Sequence, residues 1–351
     1  GPPSHAQTYF ASASLTALRL RATASAPPAA CTSMCLRLFV EHQVHRLLRT
    51  WSGGVNAIWD SIERYPPVPP VSAARSIKSG GHVSRGYQGT ERLWLLRIGA
   101  LLASSEDIVM FLDSDAMPCP GWDGIVDWFV HSGLDVASST PVVPFSGSFG
   151  HSRTPAPYGI REEMLADWGN FSERNLGFGL LRRSRPVVQE LLERFQMEFV
   201  RIANDTLLPM NADQTAWRAA LWWGLRSGTR NGNVTEAMIS GTRVCKKTKQ
   251  SLKAHTLSWG NGSCGTCSFI HHKAADTVVR ISQWANPRPP MRGSGADAGS
   301  RGCVGAECDG LGFFAFEKWA SNATWVDVIE SLNELASRPR VLSRGLPRCI
   351  R

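Results

Sequence analysis

Ile108-Val109-Met110-Phe111-Leu112-Asp113-Ser114-Asp115 is the stretch from which the fold of this 351-residue chain is read. Five apolar residues stand in a row, bounded by Glu106-Asp107 on one side and Asp113 on the other. A short continuous apolar run between charges predicts a strand buried on both faces, central in a parallel sheet. In open α/β sheets ligands bind in the crevice beyond the carboxyl ends of the strands, and Asp113 and Asp115 fall at such an end. Two carboxylates there form half of an oxygen-rich site for Mg²⁺ or Mn²⁺, hard ions that complete their shell with water and phosphate oxygens. The competing reading of the tripeptide is a solvated turn in which one Asp caps backbone N–H groups.

Upstream, the apolar residues Leu36, Val40, Val44, Leu47, Leu48, Trp51, Val55, Ile58, Trp59 and Ile62 recur mostly at three and four, the spacing of one helix face. The Pro-rich stretch 66–70 ends that helix, and a Gly-containing loop leads to Thr90. Thr90 caps a second helix with Leu93, Leu96, Arg97, Ala100 and Leu101 on one side. Downstream the pattern predicts a strand over Leu134–Thr140, helices over Arg185–Ile202 and Asp213–Trp223, and a strand over Ser268–Ile270. Residues 286–310 are rich in Pro, Gly, Ser and Ala and predict a loop or linker, and 313–337 predict a last amphipathic helix. Residues 1–35 read as a low-complexity leader or stem, because Ala, Ser and Pro dominate without sustained periodicity. The expected organisation is therefore a leader over 1–35, one α/β domain over 36–285, and a linker with a C-terminal helix over 286–351. No internal repeat is visible.

Composition narrows the class of function. With 43% hydrophobic and 19% charged residues the chain can bury a core and is not a disordered polyelectrolyte. The net charge of +9 comes from 38 Lys+Arg against 29 Asp+Glu, yet no run of five or six like charges occurs. That pattern lacks the basic arm of a nucleic-acid binder, so no nucleic-acid partner is expected. No apolar stretch approaches the ~20 residues needed to cross a bilayer, so any membrane attachment would come from an anchor upstream of Gly1. Asn-X-Ser/Thr occurs at Asn170, Asn204, Asn233, Asn261 and Asn322, five of the eleven asparagines, which favours glycosylated surface loops in the secretory pathway. Nine cysteines point the same way: Cys264 with Cys267, and Cys303 with Cys308, suit local disulfides in an oxidising lumen. An odd count leaves one thiol over, and the spacing of these four fits a zinc knuckle poorly.

The string Met110-Phe111-Leu112-Asp113-Ser114-Asp115-Ala116-Met117-Pro118 resembles the Asp-X-Asp signature of nucleotide-sugar glycosyltransferases with the GT-A fold. Asn175-Leu176-Gly177-Phe178-Gly179-Leu180-Leu181-Arg182-Arg183-Ser184 looks like their Asn-X-Gly strand, followed by an Arg and a helix. Asp213-Gln214 looks like the acidic pair that opens the next helix, and Phe269-Ile270-His271-His272-Lys273 resembles the late strand whose His completes the metal shell. The nearest match is the Golgi galactosyl-, mannosyl- and xylosyltransferase group of fungi and plants, over roughly residues 85–275. The resemblance implies an α/β GT-A-type, Rossmann-like fold: a mostly parallel sheet with helices on both faces. It also implies a Golgi-lumenal, Mn²⁺- or Mg²⁺-dependent transfer from a nucleotide-sugar to a glycan or glycoprotein acceptor. Asp113, Ser114, Asp115 and Lys273 would hold the nucleotide; Asp113, Asp115 and one of His271 or His272 would ligate the metal. Asn175, Asp213 and Gln214 would face the sugar and acceptor, with Arg182 or Arg183 adding positive charge where the leaving group develops negative charge. The resemblance further tips the donor to a UDP-sugar and the outcome to retention of configuration. Departures exist: the first nucleotide-binding strand is not identifiable, and the late His is doubled.

Thirteen tryptophans are many for this length, and Trp122, Trp168, Trp217, Trp222 and Trp223 lie near these motifs. One or two lining an acceptor groove would stack on sugar rings, while the rest are core material. Asp213 also suits a plain helix N-cap. Two rival functions share the features. A haloacid-dehalogenase-type phosphatase opens with a strand and Asp-X-Asp, but wants Thr or Val where Met117 stands and a later acidic pair that is not found. A secreted carbohydrate- or polyanion-binding module would use the Trp and Arg residues without catalysis.

Overall fold

The computed structural model describes residues 4–24, 34–50, 58–69, 90–113, 116–139, 163–164, 171, 174–204, 212–239, 244–247, 267–272, 320 and 323–337. The elements in chain order are α1 (Ser4–Thr23), β1 (Arg37–Val40), α2 (His42–Thr50), β2 (Ser61–Arg64), α3 (Thr90–Ala103), β3 (Val109–Leu112), β4 (Ala116–Pro118), α4 (Asp123–Ser132) and β5 (Val136–Ser139). They continue with β6 (Asn175–Leu181), α5 (Pro186–Asn204), α6 (Ala212–Arg226), β7 (Glu236–Ile239), β8 (Val244–Lys247), β9 (Phe269–His272) and α7 (Trp325–Ala336). The chain divides into two compact, interleaved units, one of residues 1–64, 113–131 and 242–351, the other of 65–112 and 132–241.

The second unit is built on a four-stranded sheet of order β3-β6-β5-β7. β6 runs antiparallel to both β3 and β5, while β5 and β7 are parallel. The described sheet is thus mixed, where a mostly parallel one was expected. β3 also lies at the edge of this order and is half-buried throughout, not central and buried on both faces. Val109 and Phe111 pack on the core while the pleat turns Met110 and Leu112 the other way, so an unbroken apolar run coexists with an edge position.

α5 begins at Pro186, where a missing N–H is harmless and the fixed φ suits a first turn. Its Val188, Leu191, Leu192, Phe195, Phe199 and Ile202 recur at three and four and are all buried, which fixes the face turned to the core. α6 answers with Ala216, Trp217, Ala220 and Leu221, and the Phe195 and Trp217 rings meet edge-on with centroids 5.1 Å apart. Gly179 lies opposite Phe111 in the sheet, and the Phe111 ring covers it so closely that a Cβ would overlap.

The first unit holds the parallel pair β1–β2 and a three-stranded sheet of order β4-β9-β8. Of the helix expected across Leu36–Ile62, α2 is the helical part among the described residues, flanked by the two strands; residues 51–57 lie outside them. Residues 4–23 of the expected leader form α1, which is interior: Phe10, Ala11, Leu15, Ala17 and Leu18 are buried, and so are Ser12, Ser14, Thr16, Arg19, Arg21 and Thr23. The polar members have partners. Arg21 pairs with Asp60 at 2.9 Å and donates to Ile58 O, Ser14 accepts from the Trp59 indole, and Arg19 Nε donates to Pro118 O at 2.6 Å. Trp122 Nε1 in turn donates to Leu20 O. α7 starts with a capping box between Thr324 and Asp327 and lies on α1, with Trp325 against Phe10 and Gln7 donating to Ala320 O. The linker expected over 286–310 lies outside the described residues. No described helix is long and apolar enough to cross a membrane.

A stem can be removed without harm, whereas an interior helix cannot. Deleting residues 1–24 is expected to abolish the cooperative urea transition followed by circular dichroism; a truncated chain unfolding at the full-length midpoint would show that α1 contributes nothing.

Candidate functional site

In the second unit, strand direction decides which residues share an edge. Because β6 opposes β3, β5 and β7, its amino end lies with their carboxyl ends: Leu112 stands opposite Phe178, and Ser139 opposite Asn175. The β5–β6 register slips between Ser138 and Ser139, where the partner position moves from Gly179 to Asn175. Leu176, Gly177 and Phe178 make up that slip, so the Asn-X-Gly motif is an irregularity at the edge where the carboxyl ends of β3, β5 and β7 lie. Bulges at such places redirect the chain next to sites.

Asp213 is in the first turn of α6 and is 5% exposed. Its Oδ1 accepts the Gln214 N–H at 2.9 Å, so part of its role is the plain capping of a helix start. Its Oδ2 lies 3.6 Å from Arg97 Nη1, and the same guanidinium nitrogen reaches Leu176 O at 3.5 Å. Arg97, on α3, thus connects the start of α6 to the Asn-X-Gly segment. Sequence reading assigned it no role, although a cation amid the apolar face of α3 was the available signal. Asn175, Asp213 and Gln214 are therefore gathered at one edge of this unit, with the Asn175 side chain itself outside the description.

In the first unit, Asp113 is half-buried and its backbone O accepts Ala116 N at 3.0 Å. That bond brackets Ser114 and Asp115, which lie outside the described residues. Ala116 then stands opposite His271, Met117 opposite Ile270 and Pro118 opposite Phe269 in the antiparallel β4–β9 pair. Ala116, which follows the Asp-X-Asp string, and His271, 155 positions away in sequence, meet through this register. On the other side of β9, Lys246 pairs with His271 and Lys247 with His272. The two lysines were not singled out from sequence, although they are two of only seven in the chain. The side chains of His271, His272, Lys246 and Lys247 and all of Lys273 are outside the described residues. Among the described residues no group of three or more His, Cys, Asp or Glu is placed to hold a metal.

β4 is held from its other side by α1. Thr16 Oγ1 reaches Ala116 O at 3.4 Å and Arg19 donates to Pro118 O. Ala116, Met117 and Cys119 are buried, and the Cys119 N–H is taken by Ser268 O at 2.9 Å. Cys35, Cys119 and Cys267 are disulfide-bonded; Cys264, Cys303 and Cys308 lie outside the described residues.

Other candidates sit elsewhere. Arg182 and Arg183 follow the carboxyl end of β6, beside the amino ends of β3 and β5 and so at the opposite edge from Asn175. Arg182 Nε donates to Leu134 O, while Arg183 donates to Leu101 O and Leu102 O in the last turn of α3, where a cation offsets the helix dipole. Trp122 and Trp217 are fully buried and Trp222 nearly so, while Trp223 carries the Arg194 guanidinium 5.1 Å above its ring. Those four are packing material, and Trp168 lies outside the described residues.

No protein-family model matches the chain, and no curated protein matches it in sequence. Among solved structures, mouse xyloside xylosyltransferase 1 in its apo form is similar over 75% of this chain and 92% of that one, with a TM-score of 0.42 and 11% sequence identity.

The Arg97 link makes a stability prediction independent of activity. Arg97→Ala leaves a nearly buried carboxylate facing less positive charge and should cost about 1–2 kcal/mol, below a fully buried pair because the guanidinium is 31% exposed. Asp213→Asn should then cost less in the Arg97→Ala background than in the native chain, read from urea midpoints. Additive effects would break the link.

Proposed function

We propose that the chain is a metal-dependent glycosyltransferase that moves a sugar from a nucleotide-sugar, a UDP-sugar by preference, to a glycan or glycoprotein acceptor. The observation that carries this reading is the β4–β9 register, which sets His271 opposite the residue that follows Asp113-Ser114-Asp115. Carboxylates with an imidazole form a donor set suited to Mn²⁺ or Mg²⁺, with water and phosphate oxygens as the remaining ligands. Asp113, Asp115 and one of His271 or His272 would hold the ion, which when bound would neutralise charge developing on the departing nucleoside diphosphate. Ser114 and Lys273 would contact the nucleotide. Asn175, Asp213 and Gln214 would face the sugar and acceptor, where the Asp213 carboxylate, oriented by Arg97, would stabilise an oxocarbenium-like state. Reaction with retention fits this assignment, since Asp213 is tied to Arg97 and the Gln214 N–H instead of standing as an isolated base.

A secretory, Golgi-lumenal location goes with this reading. Five sequons and the disulfide-bonded Cys35, Cys119 and Cys267 support it.

Incubation with a panel of sugar nucleotides and Mn²⁺ should release nucleoside diphosphate from at least one, and chelation should stop it. Asp115→Ala should remove turnover while leaving the unfolding free energy from urea titration within about 0.5 kcal/mol, as expected for a carboxylate that follows the apolar run and is not part of it. Full turnover in that variant would end the assignment. The anomeric proton of the product, read by NMR, should report an α-linkage from an α-linked donor; a β-linkage would reassign Asp213 as the base. Native eukaryotic material should lose apparent mass on N-glycosidase treatment, and an unchanged mass would withdraw the sequon support.

A further inference from the structure

α2 buries Val44 and Leu48 and exposes His42, Arg46 and Arg49, which recur at four and three and so share one face. At ~1.5 Å per residue these positions span about 10 Å along the helix. Arg64, exposed at the end of β2, extends the row, with its Nε 3.4 Å from His45 Nδ1. The acids that could answer these charges are engaged elsewhere. Asp60 is held by Arg21 and by the Leu36 N–H, and Glu63 by Arg37. Residues 51–57 and 65–70 carry no charge, so Glu41 is the one remaining acid between Leu36 and Pro70. His45 reports the same imbalance: its pKa is held below the ordinary imidazole value by burial first, then by Arg64 and Arg49.

We propose that the α2–β2 face, through Arg46, Arg49, Arg64 and His42, binds an acidic polysaccharide by its sulfate or carboxylate groups. Guanidinium groups present a planar fork that matches both oxyanions, and a row of them follows a linear polyanion. A lipid surface fits less well. The apolar side of α2 is spent inside its own unit, and among the described residues the exposed large apolar side chains Tyr9, Trp128, Met197, Met238 and Val326 all lie on other elements. Among the described residues the face has no exposed aromatic on which a nucleic-acid base could stack. The choice of a glycan over duplex nucleic acid rests on the lumenal location proposed above.

The test uses the full chain and heparin as the probe. Arg46→Glu/Arg49→Glu should weaken heparin binding at least tenfold at 0.15 M NaCl, with the thermal midpoint and nucleoside diphosphate release unchanged. Arg46→Gln/Arg49→Gln should give a smaller loss of the same sign. Arg230→Glu, a like charge reversal at an 87% exposed arginine elsewhere, should leave binding within twofold. Saturating heparin should also raise the His45 pKa in an NMR titration. Equal losses from Arg46→Glu and Arg230→Glu would reduce the effect to net charge and overturn the site. Tighter binding of duplex DNA or phosphatidylserine vesicles than of heparin at matched salt would overturn the choice of ligand. If no sugar nucleotide is turned over but heparin binds as described, the transferase reading falls and this one stands.

Discussion

The satisfaction of β4, a three-residue strand buried along its whole length, is the constraint on which the first unit depends. Buried backbone groups must be paired, and a strand this short cannot rely on a ladder alone. One side is met by β9, and the carbonyls of Ala116 and Pro118 on the other are met by Thr16 and Arg19 of α1. Pro118 has no N–H to offer, so a side chain that only donates is the right complement there. A guanidinium buried to 0% exposure is costly unless its donors are used. Thus Arg19 and β4 each need the other. The chain that follows Asp113-Ser114-Asp115 is held by a helix drawn from the first residues of the sequence.

That helix was the least legible element in the sequence, for a physical reason. Amphipathic periodicity marks a helix with one wet face, and α1 is buried around most of its surface. Small residues allow close approach on several sides, and Ser14, Thr16, Arg19 and Arg21 meet partners distant in sequence. A composition of Ala, Ser and Thr therefore reads as low complexity while the structure uses it as a core. The 36–62 segment misled in the opposite way. Leu36, Val40, Val44, Leu48 and Trp59 share a helical spacing, yet the first two belong to a strand and its approach. A short parallel pair and its flanks, with Leu36, Val40, Ile58 and Trp59 buried, space their apolar residues so as to imitate the helical period.

The elements that were legible combine a local signal with a local cause. α5 has its Pro186 start and its apolar stripe, and α6 its acidic first turn. Asp113 follows an apolar run that is a strand. Strand direction was not legible, since nothing in Asn175–Leu181 states which way it runs beside β3. That omission has a chemical consequence. In a parallel sheet Asn175, at the start of its strand, would lie at the amino edge, away from the carboxyl end of β3, and Arg182 and Arg183 would lie at the carboxyl edge. The antiparallel β6 exchanges them. It brings the Asn-X-Gly segment to the edge that carries Arg97 and Asp213, and sends the two arginines to the far edge, where they hold backbone carbonyls.

The arginine excess acquires a pattern once each residue has a place. Arg19, Arg21 and Arg174 are buried and spent on carbonyls or on Asp60 and Glu236, and Arg194 and Arg201 flank the buried Glu198 from both sides. Those guanidinium groups supply the donors that buried carbonyls and carboxylates need; Arg21 and Arg174 each meet an acid one to one, and Arg194 and Arg201 share Glu198. A planar fork with five donors can serve two or three acceptors at once, which is why arginine and not lysine fills these positions. The charge that remains uncancelled is therefore not spread as the sequence suggests. It collects where neighbouring acids are already committed, and the α2–β2 face is such a place. Like charges held within one or two helical turns repel one another in the free protein. Relief of that repulsion by a bound polyanion is then part of the binding free energy, additional to the individual contacts.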